Sequence, residues 1–304
     1  MSFQLIAAPH TPMKADGELN LEMVARQGGH FRETGVTGVF IAGSTGEGLS
    51  LGVEEREELA AEWARVAGVE GLKLFVQVGS TCQRDAVRLA AHAVSVGADA
   101  VATLAPCYYK PETVGDLVAF CEPIAGAAGG LPFYFYDIPD MSGVSLPMVE
   151  FLKVGAAPMA NLAGIKYTNP DLAGLQECLR LEDGRFELLY GNDESLVAGY
   201  ALGVHGAVGS TYNFAALLYR RLLQELENGD EVEARRLQAD SVRMVRVIGS
   251  YGYLPAAKAV MGMLGIDCGP ARAPLRNLTN EEKSALRWEL EALSVIEFRT
   301  STAL

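Results

Sequence analysis

The stretch VTGVFIAGSTGEGLSLGVEEREELAAEWARVAGVEGLKLFVQVG (36–79) contains two short apolar runs separated by a glycine-rich loop and a helical pattern. Leu59, Trp63 and Val66 recur at helical spacing and form one apolar stripe. The flanking runs are apolar nearly throughout, as expected of strands that are covered on both faces. This stretch therefore predicts a strand–helix–strand unit.

The same alternation recurs along most of the chain. Eight apolar runs precede helical patterns: FQLIAAP (3–9), VTGVFIAG (36–43), KLFVQVG (73–79), DAVATLA (99–105), PFYFYDI (132–138), LAGIKYT (162–168), FELLYG (186–191) and HGAVGS (205–210). Eight such units predict a (β/α)8 TIM barrel. A doubly wound sheet is the alternative, but PHTPMKADG (9–17) after the first run is not the phosphate loop of a nucleotide-binding sheet.

After about residue 225 the strand patterns stop. The segments 231–249, 254–264 and 279–294 have helical periodicity, and Thr279 with Glu282 forms a helix-start signature. We therefore expect a barrel with the active site over residues 1–225 and a C-terminal helical extension over 226–304.

Composition narrows the class of protein. The 304 residues carry 25 basic and 38 acidic side chains, a net charge of −13, which argues against a nucleic-acid-binding protein. The five cysteines and four histidines show no metal-ligand spacing, so we expect no metal and no disulfide framework. The chain shows no signal-peptide pattern and no long apolar run, which predicts a cytoplasmic protein without a membrane span.

Lys166 lies within the predicted strand LAGIKYT (162–168) among apolar neighbours, and no other lysine lies inside such a strand-like core segment. Burial there would lower its pKa and favour a neutral amine that can attack a carbonyl. A lysine at a strand end that is solvated or paired with a carboxylate is the alternative, and position alone does not decide between the two.

Polar groups follow other predicted strands. Tyr136 could relay protons, although a tyrosine in an aromatic strand is more often part of the core. Ser44 and Thr45 lie in GSTGEG (43–48), where hydroxyls and backbone N–H groups suit a carboxylate; glycine and serine also simply form turns.

Two further loops lie on the same predicted rim. GNDE (191–194) carries Asp193 and Glu194, and GSTYN (209–213) carries Ser210. These side chains could bind a polyhydroxylated substrate, whereas helix capping is an equally good explanation of Asp193 and Glu194.

Together, five segments resemble the pyruvate-dependent aldolase family of N-acetylneuraminate lyase and dihydrodipicolinate synthase. In order they are GSTGEGLSL (43–51), YDIPDMSGV (136–144), GIKYTN (164–169), GNDE (191–194) and GSTYN (209–213). The resemblance covers nearly the whole chain. It implies a (β/α)8 barrel with helices at its C-terminal end, usually assembled as a homotetramer.

The resemblance also implies roles for residues. Lys166 would form a Schiff base, Tyr136 would shuttle protons, and Ser44 with Thr45 would bind the carboxylate of pyruvate. Ser44 would also bridge the proton relay. Tyr108 matches the tyrosine that enters the neighbouring subunit's site, with Tyr109 as the alternative.

Within the family, the lyase that acts on sialic acid is favoured. Synthases carry an arginine five residues after the catalytic tyrosine, where this chain has Met141. An apolar residue removes the cation that a second carboxylate substrate needs. Several residues match the sugar contacts of the lyase: Thr168, Gly191, Asp193, Glu194 and Ser210.

The resemblance therefore implies a carbon–carbon lyase. It would cleave N-acetylneuraminate reversibly to N-acetylmannosamine and pyruvate, with no cofactor beyond the covalent imine on Lys166. The alternatives are a 4-hydroxy-tetrahydrodipicolinate synthase, an aldolase for another 2-oxo-sugar acid, and, more distantly, a non-catalytic protein that binds a small molecule.

Overall fold

The structure is a computed structural model that describes residues 3–296 and 298. Eight short parallel strands close into a barrel and follow one another around it in sequence order. The strands are β1 (Gln4–Ala7), β2 (Gly38–Ile41), β3 (Lys73–Gln77), β4 (Ala100–Leu104), β5 (Phe133–Asp137), β6 (Leu162–Tyr167), β7 (Glu187–Tyr190) and β8 (Gly206–Gly209). Strand β8 pairs with β1 and closes the barrel. The predicted barrel is confirmed, and the doubly wound alternative is wrong because every strand pairs with its neighbour in sequence.

Helices surround the strands and follow them in turn. They are α1 (Glu22–Thr34), α2 (Val53–Glu70), α3 (Gln83–Ser95), α4 (Val114–Ala127), α5 (Pro139–Ser142), α6 (Met148–Gly155), α7 (Leu172–Arg180), α8 (Leu196–Leu202) and α9 (Tyr212–Asn228). The predicted stripe on α2 is buried, and Trp63 stacks on Phe31 of α1 with 6.2 Å between the ring centroids. Burial of that apolar stripe fixes α2 against the barrel.

Three more helices form the C-terminal extension: α10 (Glu231–Ser250), α11 (Tyr253–Met263) and α12 (Asn280–Leu293). Thr279 and Glu282 make the predicted reciprocal cap of α12. The division of the chain into 1–225 and 226–304 stays a prediction. The last residues of the predicted extension lie outside the described part of the chain. No helix in the described part of the chain is long and apolar enough to span a membrane.

The barrel interior is filled with aliphatic and aromatic side chains. Phe40 meets Tyr136 edge-on at 5.6 Å between centroids, and Phe75 meets Tyr134 in the same way at 5.7 Å. Tyr134 and Tyr136 share the inner face, as their spacing predicts. Because this core fills the interior, polar groups for chemistry collect where the strands end and their loops begin.

Candidate active site

Lys166 lies on β6 with its side chain inside the barrel and is only 4% exposed. It pairs in register with Tyr136 of β5, so the two side chains lie side by side. The Lys166 Nζ atom is 3.7 Å from the centroid of the Tyr136 ring and 4.1 Å from that of Phe40. The amine is thus held between two aromatic faces at the end of the barrel where the loops gather.

This surrounding changes the acidity of Lys166. Burial lowers the pKa of the ammonium below its usual range, while the Tyr136 phenol and the Asp193 carboxylate oppose part of that change. Because a neutral amine is the nucleophilic form, the site moves Lys166 toward reactivity with a carbonyl carbon.

Tyr136 connects the lysine to the loop that follows β2. Its Oη atom is 3.4 Å from Ser44 Oγ, and either hydroxyl can be the donor. Lys166, Tyr136 and Ser44 therefore lie in one chain of contacts. A proton can pass along these hydroxyls without entering bulk water.

The loop that carries Ser44 and Thr45 folds tightly back on the end of β2. The Gly48 N–H donates to the Gly43 carbonyl at 3.1 Å. A Cβ atom on Gly48 would lie 1.7 Å from the Ala42 carbonyl oxygen, so only glycine fits there. Ser44 and Thr45 are half-buried. The loop thus presents hydroxyls and backbone groups near the lysine.

Thr168 and Gly191 meet at the ends of β6 and β7. A Cβ atom on Gly191 would lie 1.9 Å from Thr168 Oγ1, so the glycine makes room for the threonine. Thr168 Oγ1 is buried and has no hydrogen-bond partner among the described residues. It is a polar atom of the rim that a ligand could satisfy.

Asp193 is buried, whereas its neighbour Glu194 is exposed. One Asp193 oxygen accepts from the Thr211 hydroxyl at 2.6 Å and from the Thr211 N–H at 3.0 Å; the other has no partner among the described residues. Burial raises the pKa of Asp193 to about 6, against the hydrogen bonds from Thr211. Asp193 therefore supports the residue that precedes α9.

Ser210 follows β8 and is held by the C-terminal extension. Its hydroxyl lies 2.6 Å from the Tyr253 Oη atom on α11. No sequence pattern singles out Tyr253, because the contact joins residues far apart in the chain.

Tyr108 and Tyr109 lie apart from these groups, on the loop between β4 and α4. They are 78% and 87% exposed, and their rings touch each other with 4.9 Å between centroids. Neither side chain is packed into its own barrel.

A cavity of about 250 Å³ opens beside Ser44. The wall is mainly apolar, and Met141 lies at its edge, 69% exposed. Besides Ser44, the polar residues that line it are Glu47, Ser50, Gln77 and Ser142. No arginine or lysine is among the described residues that line this cavity.

Comparison with known proteins defines the class. Residues 1–293 match the model of the dihydrodipicolinate synthetase family, and the chain belongs to that family. The barrel, the buried lysine on β6 and the tyrosine beside it agree with this membership.

Within the family, the chain is similar to proteins named N-acetylneuraminate lyase. It is 37% identical to that of Danio rerio, covering 89% of this chain and 90% of the relative. The solved structure of Proteus mirabilis N-acetylneuraminate lyase is 38% identical, with a TM-score of 0.94 over 97% of this chain and 99% of that chain. A sialic acid aldolase of Ruminococcus gnavus, solved as a catalytic lysine mutant, is 25% identical with a TM-score of 0.90, covering 96% and 95%.

Proposed function

We propose that this protein is a Schiff-base lyase that cleaves N-acetylneuraminate reversibly to N-acetylmannosamine and pyruvate. One observation carries the proposal: the Lys166 amine is buried with a lowered pKa between two aromatic rings, in contact with a tyrosine that reaches Ser44. The similarity to named lyases supports the sugar acid as the substrate.

The first half of the reaction forms the imine. Lys166 Nζ attacks C2 of the open-chain keto acid, and the carbinolamine loses water to give a protonated imine. Tyr136, through Ser44, supplies and removes the protons of this step. Ser44 and Thr45 bind the carboxylate next to C2 and so orient the carbonyl toward the lysine.

The second half breaks the carbon–carbon bond. The protonated imine accepts the electron pair of the C3–C4 bond, while the C4 hydroxyl loses its proton and becomes the aldehyde of N-acetylmannosamine. The remaining enamine takes up a proton at C3, and water releases pyruvate from Lys166. The base at the C4 hydroxyl is either Tyr136 or the substrate's own carboxylate.

The rim loops supply the sugar contacts. We assign Thr168, Gly191, Asp193, Glu194 and Ser210 to the polyhydroxylated chain. Two observations support this assignment. Thr168 Oγ1 and one Asp193 oxygen are buried without a partner among the described residues, and a bound hydroxyl would satisfy both.

The synthase alternative lacks support at the discriminating position. Met141 lies at the edge of the cavity beside Ser44, and no cation lines that cavity in the described part of the chain. A substrate with a second carboxylate would find no fixed counter-charge there. An aldolase for another 2-oxo-sugar acid would share every residue assigned to pyruvate. The intact Lys166–Tyr136–Ser44 set speaks against a non-catalytic binding protein.

We also assign Tyr108 to the site of a neighbouring subunit in a homotetramer. The high exposure of both rings on this loop, Tyr108 and Tyr109, supports a contact with a neighbouring chain but does not choose between them. Tyr109 is the alternative. The proposed reaction needs no metal or organic cofactor, because the imine itself is the electron sink, and we place it in the cytoplasm.

Two measurements test the proposal. Borohydride reduction in the presence of pyruvate is expected to add a pyruvyl mass to the peptide that contains Lys166, and Lys166→Ala should remove the label. Labelling at another residue would overturn the mechanism. The purified protein should release pyruvate from N-acetylneuraminate; turnover only of pyruvate with aspartate semialdehyde would make it a synthase instead.

A further inference from the structure

We propose that the buried ion pair between Glu47 and Lys258 positions the loop at residues 43–48 for the carboxylate of pyruvate. The pair thereby makes the C-terminal extension part of the substrate-binding machinery. This inference rests on the proposed function, because it takes Ser44 and Thr45 of that loop to bind the carboxylate.

Both carboxylate oxygens of Glu47 accept hydrogen bonds from residues of the extension. Its Oε1 atom accepts from Lys258 Nζ of α11 at 2.8 Å, and the two side chains are 2% and 1% exposed. Its Oε2 atom accepts from the Arg272 backbone N–H at 2.8 Å. Lys258 Nζ also donates to the Pro270 carbonyl at 2.7 Å. The carboxylate is therefore held at both oxygens by residues more than two hundred positions away in the sequence.

Glu47 transmits this hold directly to Ser44. The Glu47 N–H donates to the Ser44 carbonyl at 3.1 Å, and the Glu47 carbonyl accepts from the Ser50 N–H at 2.7 Å. Glu47 itself has φ of 54°, in the left-handed region that L residues rarely adopt. Without its side-chain contacts, the backbone at Glu47 has less reason to keep that conformation. A change in the position of Glu47 is therefore expected to move Ser44, which is one backbone hydrogen bond away.

The other side of the loop has a separate anchor. The Thr11 hydroxyl donates to the Gly46 carbonyl at 2.6 Å. The loop is thus held at residue 46 from the barrel and at residue 47 from the extension. Loss of the second anchor leaves the loop attached at residue 46 but removes the contact that fixes the Glu47 side chain.

The choice of a buried ion pair favours a positioning role over a purely stabilising one. Taking two charges out of water is unfavourable, and apolar side chains of similar volume often stabilise a protein as well or better. A charged pair instead specifies distance and direction, because misplaced partners leave a buried charge unsatisfied. This is the property that a carboxylate-binding loop requires.

The test uses two variants and one control. Glu47→Gln keeps the shape of the side chain and removes its charge, and the double variant Glu47→Gln with Lys258→Met removes both charges, so that neither is left uncompensated. Arg235→Met is the matched control, because it removes an exposed ion pair with Glu231 from the same extension. For each protein we would measure the melting midpoint, kcat, and the KM values for pyruvate and N-acetylmannosamine in the synthetic direction.

We expect the double variant to fold and its KM for pyruvate to rise about tenfold, as for a misplaced hydrogen bond to a charged group. Its KM for N-acetylmannosamine should change less than about threefold, since the sugar loops are not attached to Glu47. Glu47→Gln should show the same selectivity with at least as large an effect, because it leaves the Lys258 charge without a carboxylate, and Arg235→Met should show none. Glu47→Gln alone decides the matter if the double variant does not fold.

An unchanged KM for pyruvate in a folded variant would overturn the inference. An equal rise in the KM values for pyruvate and for N-acetylmannosamine would overturn it as well. Borohydride trapping of pyruvate on the unmodified protein separates this outcome from a failure of the proposed function. If trapping on Lys166 fails there, the proposed function falls and this inference falls with it. If trapping succeeds and the variants bind pyruvate normally, only the positioning role is wrong.

Discussion

Replacement of Asp137 by asparagine should stabilise the protein at high pH and not at low pH. Asp137 ends β5 and is only 2% exposed, and its carboxylate accepts from the Asn169 amide at 2.9 Å. Burial, with a smaller contribution from the charge of Asp171, raises its pKa from 3.8 to about 6, against the hydrogen bond from Asn169. Asparagine has nearly the same shape, can still accept that hydrogen bond and cannot ionise.

The sign and size follow from linkage. Between about pH 4 and pH 6 the folded chain binds more protons at Asp137 than the unfolded chain, so stability falls as the pH rises through that window. Since one pKa unit corresponds to about 1.4 kcal/mol, the ionised carboxylate destabilises the native state by about 3 kcal/mol above pH 7. Asp137→Asn should therefore raise the free energy of unfolding by about 2–3 kcal/mol at pH 8 and leave it nearly unchanged at pH 4.

Urea unfolding at fixed protein concentration, repeated from pH 4 to pH 8, measures this difference. Asp230→Asn is the control, because it removes an exposed carboxylate that caps α10 and asparagine caps equally well. The control should show no pH-dependent gain. If Asp137→Asn is no more stable than the parent at pH 8, or if its gain is the same at pH 4, the argument from burial is wrong.

Three further predictions concern the site and the extension. Tyr136→Phe keeps the ring beside Lys166 and loses the hydroxyl near Ser44, so kcat should fall about 10²- to 10⁴-fold while borohydride trapping of pyruvate persists; an unchanged kcat would remove the tyrosine from the proton path. Thr279→Ala removes the reciprocal cap with Glu282 and should lower the free energy of unfolding by about 1 kcal/mol in urea, without changing KM. Refolding inactive Lys166→Ala chains with Tyr108→Ala chains should restore about a quarter of full activity, because half of random pairs are mixed and one of their two sites is complete. No recovery on mixing would refute the assignment of Tyr108 to a neighbour.

Most of the fold could be predicted because its signals are local. Each apolar run begins and ends within about two residues of the ends of an observed strand. The helical patterns after residue 225 match α10, α11 and α12. The cap at Thr279 was also predictable, since both partners lie within four residues of sequence. Parallel strands followed by helices leave few arrangements other than a closed barrel once there are eight.

The site was predictable only where its residues end strands. Lys166, Tyr136 and Ser44 lie together because neighbouring strand ends meet on one rim. The contact of Ser210 with Tyr253 could not be predicted, because it depends on how α11 packs against the barrel. Asp193 and Thr211 follow neighbouring strands, but the sequence does not indicate which side chains of these two loops pair. A signal for Lys258 did exist: a lysine stands within the apolar run AAKAVMGM (256–263), where a charge needs a buried partner. Nothing in the sequence names Glu47 as that partner.

The anchoring of rim loops by α11 has a consequence for the newly made chain. The strands are complete once residue 209 has been synthesised, yet Tyr253, Lys258 and Arg272 are added only afterwards. A ribosome that adds about 5–20 residues per second leaves an interval of several seconds in which all eight strand segments have been made and those anchors have not. During that interval the nascent protein should be unable to hold pyruvate well, and a chain released early, near residue 250, should be inactive even where its strands have paired. Catalytic competence in this protein is thus expected only after the residues of the extension up to Arg272 have been added.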